Sequence, residues 1–330
     1  MKRFLIILTV FIFVFLIGCG KTVDDSDSSS SSPPVIPSDE SSSETESFSE
    51  PEVDPVVNES AKGCFYGDNT GTDKTYTGLE PLPLSDFNDP SFVNSKGLSD
   101  KTVDHSFGVA KNEQPHDISV NNQKLFDEKG FNAIAYDNKT DEKILYLTFD
   151  CGYENGYTAK ILDTLRDKGV KAAFFCTLPE MKQNTEIIAR MINEGHIVGN
   201  HSVTHPDFSG LTRQQMYDEV KGFDDYIREN FGYSAQYFRY PQGKYSENSL
   251  DMLNEMGYTC VFWSLAYADW DLNNQKGANN ALETVIGRIH PGAVILLHSV
   301  SPDNANALAD IIDTARNMGY EFRSLPEYRN

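Results

Sequence analysis

The sequence predicts an α/β protein in which helices cover a mostly parallel sheet, built either as an incomplete barrel or as an open doubly wound sheet. Three observations predict it. From about residue 140 onward, short apolar runs alternate with amphipathic stretches of helical period. Glycines at 169, 195, 257 and 319 stand where several of those helical patterns stop, as helix-ending glycines do. No glycine-rich phosphate loop follows the first strand-like run, which disfavours the nucleotide-binding version of the sheet.

Before that region the chain reads as three preparatory segments. Residues 1–19 form a processing signal: Lys2 and Arg3 give a positive start, and the stretch to Ile17 is apolar apart from Thr9. Its end, Leu16-Ile17-Gly18-Cys19, resembles the lipobox of bacterial lipoproteins, which implies diacylation of Cys19 and a lipid anchor in the cell membrane. A plain cleaved signal and an uncleaved anchor are the alternatives; each places the rest of the chain outside the cytoplasmic membrane. Residues 20–62 form an acidic linker rich in serine and proline, with eleven Asp or Glu against two Lys. Such a stretch buries too little apolar surface to offset its ordering entropy, so it is expected to be disordered. Residues 63–139 are weakly periodic, with turn clusters such as Asn88-Asp89-Pro90, and are read as an N-terminal extension packing on the main domain.

In the main domain, 140–330, strand-like runs fall near 144–149, 172–176, 196–200, 237–240, 259–264, 293–298 and 320–324. Helical patterns lie between them at 157–168, 185–194, 213–230, 246–255, 279–289 and 304–318. The whole chain carries 49 acidic against 28 basic residues, a formal charge of −21, which makes it a poor partner for nucleic acid or anionic lipid. Apart from Cys19, the cysteines are Cys64, Cys151, Cys176 and Cys260, and they form no recognisable disulfide framework.

In either sheet architecture the chemistry collects at the carboxyl ends of strands. Asp150 follows the first run, His201 and His205 the third, Arg239 ends the fourth, Asp269 follows the fifth, and His298 closes the sixth. One turn of helix would bring His201 and His205, four apart, onto one face, and such a pair suits zinc or another borderline divalent metal. The glutamate of an H-E-x-x-H motif is absent, so the base must come from elsewhere, and Asp150 aims at the same rim. Cys151 is a candidate third ligand; the alternative is that it faces the core. Arg239, fixed before a proline-glycine turn, is expected to orient Asp150 bidentately. Asp269 is available to hold and charge His298, as a general acid requires. His105, His116, His196 and His290 are read as structural or surface residues.

Thr148-Phe149-Asp150-Cys151-Gly152, His201-Ser202-Val203-Thr204-His205, Arg239-Tyr240-Pro241-Gln242-Gly243, Asp269-Trp270 and Leu297-His298 resemble the five ordered motifs of the polysaccharide deacetylases, the NodB-homology domain of carbohydrate esterase family 4. Further stretches are similar to the peptidoglycan N-acetylmuramic acid deacetylases, a branch that prepares muramic δ-lactam in spore cortex. They are Gly152-Tyr153-Glu154-Asn155-Gly156-Tyr157-Thr158, Asn273-Asn274-Gln275-Lys276-Gly277, His290-Pro291-Gly292-Ala293 and the segment 107–115.

The resemblance implies a distorted seven-stranded (β/α) barrel and metal-assisted N-deacetylation of peptidoglycan glycan strands. It makes Asp150 the base, Arg239 its orienting partner, His201 and His205 the metal ligands, and His298 with Asp269 the acid pair. Cys151 departs from the family, which has aspartate there, and from the muramic branch, which has asparagine. Gln242 replaces a tyrosine whose backbone N–H alone is expected to hold the oxyanion. The rival functions are a deacetylase of N-acetylglucosamine or chitin oligosaccharides, and a tethered glycan-binding lipoprotein without catalysis.

Overall fold

The computed structural model describes residues 87–326. The signal, the linker and Cys19 lie outside the described residues, as does the first part of the N-terminal extension.

The elements in chain order are β1 (Val103–Asp104), α1 (Asp117–Lys129), β2 (Ala133–Ile134), β3 (Ile144–Cys151), α2 (Thr158–Lys168), β4 (Ala173–Cys176), α3 (Leu178–Gln183) and α4 (Thr185–Asn193). There follow β5 (Ile197–Asn200), α5 (Arg213–Phe231), β6 (Tyr237–Phe238), β7 (Lys244–Tyr245), α6 (Glu247–Glu255), β8 (Thr259–Val261), α7 (Ala278–Ile286), β9 (Ala293–His298), α8 (Pro302–Asn317) and β10 (Glu321–Arg323).

Seven parallel strands, β3, β4, β5, β6, β8, β9 and β10, curl into a distorted barrel with helices outside, and β2 adds to β8 as an eighth. The barrel closes where the chain after β8 meets β9: Ser264 N–H donates to the Val294 carbonyl at 2.9 Å and Leu296 N–H to that of Leu265 at 2.8 Å. The sheet thus takes one strand from the segment before residue 140.

β3 is buried along its whole length, so it reads as one continuous apolar run rather than an alternating one. Its pleat still sorts the side chains. Leu145, Leu147, Phe149 and Cys151 join the large core shared with the helices, while Ile144 and Tyr146 join the smaller cluster inside the barrel. Period two therefore sends Asp150 inward and Cys151 outward. The predicted helices form within two residues of expectation, except that α7 stops at Ile286, and Gly169 ends α2 at φ 59°, a left-handed cap that favours glycine.

Candidate active site

Register builds the site. In the pairing of β3 with β9, Asp150 and His298 are direct partners, so the carboxylate and the imidazole stand side by side at one end of the barrel. β5 brings His201 alongside, and β6 delivers Arg239.

Arg239 is fully buried. Its Nη1 donates to Asp150 Oδ1 at 2.8 Å and to Thr148 Oγ1 at 2.9 Å. Nε donates to the Val261 carbonyl at 3.0 Å and Nη2 to that of Phe262 at 3.1 Å, and the guanidinium lies 4.2 Å from the centre of the Phe175 ring. The expected bidentate fork is corrected here: Nη1 alone reaches Asp150 and also serves the Thr148 hydroxyl, while Nε and Nη2 are taken by the Val261 and Phe262 carbonyls. Asp150 Oδ2 is left facing His201 Nε2 at 3.5 Å. Burial pushes the Asp150 carboxyl up, but the Arg239 guanidinium beside and bonded to it, with the neighbouring imidazoles of His201 and His298, outweighs burial and holds the group below its usual range.

His201 Nδ1 lies 2.9 Å from the Arg239 carbonyl, which can only accept, so Nδ1 carries the proton and Nε2 carries the lone pair. Burial lowers its pKa to about 4, and burial also lowers that of His205. Both rings are therefore neutral near pH 7, the form that binds a metal, and their centres are 4.8 Å apart.

The helical turn expected for 201–205 does not form. Ser202 and His205 are left-handed, at φ 73° and 58°. Asn200 Oδ1 accepts from Ser202 N–H at 2.8 Å, and Ser202 Oγ accepts from His205 N–H at 2.9 Å. Glu219 of α5 accepts from the backbone N–H of Val203 at 3.0 Å and of Thr204 at 2.8 Å. A carboxylate on a distant helix thus overrides the local preference.

Cys151, the candidate third ligand, is directed elsewhere. It is wholly buried on the helix-facing side of β3 beside its strand partner Cys176. A hydrogen bond to Cys151, with burial, pushes the Cys176 thiol well up. Among the described residues no group of three metal-ligating side chains is assembled. The donor set fits a catalytic metal held by two neutral imidazoles with positions left for water and substrate, rather than a closed structural site.

His298 Nδ1 donates to Asp269 Oδ1 at 2.7 Å, and its backbone N–H donates to Oδ2 at 2.7 Å. Nε2 is left for the cleft. Burial lowers the His298 pKa, but the charge of Asp269 and this hydrogen bond outweigh it, and the net direction is upward. Asp269 is itself held by the Asn304 side chain, and Tyr267 by the same residue. Sequence reasoning missed this support because nothing local marks Asn304, near the start of α8, as a partner of a loop 35 residues earlier.

These residues open into a cleft of about 710 Å³ lined by Asp150, His201, His205, Gln242 and His298, with Trp263, Trp270 and Phe107 among its apolar walls. Gln242 is left-handed at φ 59° in the turn Pro241–Gly243. At Gly243 a side chain would meet the Trp263 ring at 2.7 Å, so this turn requires glycine.

His105, Trp263 and residues 104–107 were not expected in the site. β1 pairs antiparallel with β7 and carries the extension onto the cleft. His105 N–H donates to the Gly243 carbonyl at 2.9 Å, Nε2 donates to the Trp263 carbonyl at 2.6 Å, and Nδ1 accepts from Asn122 at 2.7 Å. Burial lowers its pKa to about 3, which keeps it neutral for this bridging role. His116, His196 and His290 are buried, as structural histidines would be.

A family model described as polysaccharide deacetylase matches residues 137–261. The chain is 40% identical over 236 residues to the peptidoglycan-N-acetylmuramic acid deacetylase PdaA of Bacillus subtilis, covering 71% of this chain and 89% of the relative. It is 32% identical over 200 residues to a peptidoglycan-N-acetylglucosamine deacetylase of Bacillus cereus, covering 59% and 71%. The solved structure of B. subtilis PdaA, a family 4 carbohydrate esterase, superposes with a TM-score of 0.67 at 40% identity, covering 70% of this chain and 98% of that one. The chain belongs to the family 4 polysaccharide deacetylases and is a glycan deacetylase.

Proposed function

We propose that this enzyme removes the N-acetyl group from N-acetylmuramic acid in peptidoglycan, with a divalent metal, zinc by preference, held by His201 and His205. The observation that carries the chemistry is the pairing of Asp150 and His298 on adjacent strands, each tied to its own opposite charge. Pure glycan binding needs no such acid–base pair. Support for muramic acid comes from the 40% identity to a relative of that name and from the Gly152–Thr158 stretch, which resembles that branch.

When bound, the metal supplies Lewis acidity to the acetamide oxygen and lowers the pKa of a water beside it. Asp150 Oδ2 takes the proton from the attacking water, while Arg239 keeps the carboxylate ionised and fixed. The Gln242 backbone N–H is assigned to the oxyanion. His298, charged by Asp269, delivers its Nε2 proton to the leaving nitrogen, which cannot depart as an anion. Water and acetamide become acetate and a free amine. On muramic acid that amine lies within reach of the lactyl carboxyl, the chemistry a δ-lactam needs; formation of this lactam in spore cortex is part of the proposal.

Acetate release from glycan strands stripped of stem peptides, compared with chito-oligosaccharides, tests the substrate. New amines are expected on muramic residues; amines on glucosamine alone would refute the muramic reading. The leader also supports an extracytoplasmic enzyme tethered through lipid on Cys19. A palmitate analogue should label the wild type and spare Cys19→Ala, and equal labelling would remove the tether.

A further inference from the structure

We infer that Phe107, carried into the cleft by the N-terminal extension, forms with Trp270 a subsite for a second sugar ring of the glycan strand, next to the residue being deacetylated. The inference rests on the substrate being a glycan. Phe107 is 38% exposed, Trp270 45% and Tyr153 49%, and all three border the same cleft. Large apolar side chains left in water around one concave site mark a place where something apolar docks.

Geometry identifies the occupant. The Trp270 ring meets the His298 ring at 5.3 Å between centroids and the Phe107 ring, nearly edge-on, at 6.0 Å. The reacting acetamide must reach His298. A group covalently continuous with it and extending along this wall therefore passes over Trp270 onto Phe107. In a linear glycan that group is the adjacent pyranose, whose axial C–H face is apolar and whose rim is polar. Such a ring matches aromatic walls and an otherwise open edge.

The platform is rigidly set. His105, two residues before Phe107, is fully buried and bridges Gly243, Trp263 and Asn122 through the hydrogen bonds described above. The same histidine thus fixes the turn carrying Gln242, the wall carrying Trp263 and the strap carrying Phe107. A sugar bound there meets walls already in place, so little ordering cost opposes binding.

The test uses the full chain. It has two tryptophans, and both line the cleft, so intrinsic fluorescence reports its occupancy. Asp150→Asn protein, with and without Phe107→Ala or Phe107→Tyr, is titrated with chito-oligosaccharides, glycan strands with and without stem peptides, and single N-acetylated sugars. Phe107→Ala should weaken oligosaccharide binding about tenfold, in line with the loss of one aromatic contact. Single sugars should bind it unchanged, and Phe107→Tyr should restore the oligosaccharide affinity. In the otherwise wild-type enzyme, Phe107→Ala should raise KM for polymer about tenfold at constant kcat.

Equal oligosaccharide affinity with and without Phe107 would overturn the subsite, as would a fall in kcat at constant KM. A loss confined to strands that bear stem peptides would assign the platform to peptide and overturn it too. Absence of acetate release by the wild type from every glycan would instead remove the glycan substrate itself, a failure visible before any Phe107 variant is compared.

Discussion

Asp150→Asn is expected to lower turnover by about 10²–10⁴-fold, the usual weight of a positioned general base, while metal binding persists. Asparagine keeps an oxygen to accept from Arg239 Nη1 and fills the same space, so the loss reports proton removal. Circular dichroism is the control, because Arg239 is left buried beside a neutral partner. A residual rate within about tenfold of wild type would require another base.

The same pair fixes the pH profile. The rate needs Asp150 ionised and His298 protonated. Asp150 is held below its ordinary range and His298 above its own, so the two limbs are pushed apart around neutral pH. Asp269→Asn removes the negative charge that raises His298 and should move the alkaline limb to lower pH. An alkaline limb that stays in place in Asp269→Asn would separate His298 from the profile.

His201→Ala is expected to abolish metal-dependent acetate release, and His205→Ala to do the same. With His201 and His205 as the proposed ligands and Cys151 turned into the core, no third side chain among the described residues compensates for the loss of either. The fold should survive His201→Ala, since the ring itself makes one hydrogen bond, to the Arg239 carbonyl, beside its 3.5 Å contact with Asp150.

Much of this site was legible because parallel sheets put chemistry at strand ends. Asp150, Arg239 and His298 each end an apolar run, and the sheet brings those ends together. That Asp150 and Cys151 face opposite sides follows from strand alternation, but alternation left open which of the two points inward. What was not legible was set by partners far along the chain. The backbone of Val203 and Thr204 is bent by Glu219, and Asp269 is held by Asn304. α1 and the strap around His105 carry little amphipathic pattern. Apart from Phe126, which stacks on Phe262 in the core, they hold their place by polar contacts such as His105 with Asn122, which periodicity does not register.

Metal content and acetate release, measured on the same preparations of wild type, Asp150→Asn and His201→Ala before and after chelation, test metal-assisted hydrolysis most directly. The wild type should hold about one metal per chain, as a single catalytic site does, lose acetate release on chelation and regain it with zinc. Asp150→Asn should hold the metal without turnover, and His201→Ala should lack both. Full acetate release by metal-free wild type, or by chelated His201→Ala, would contradict the account.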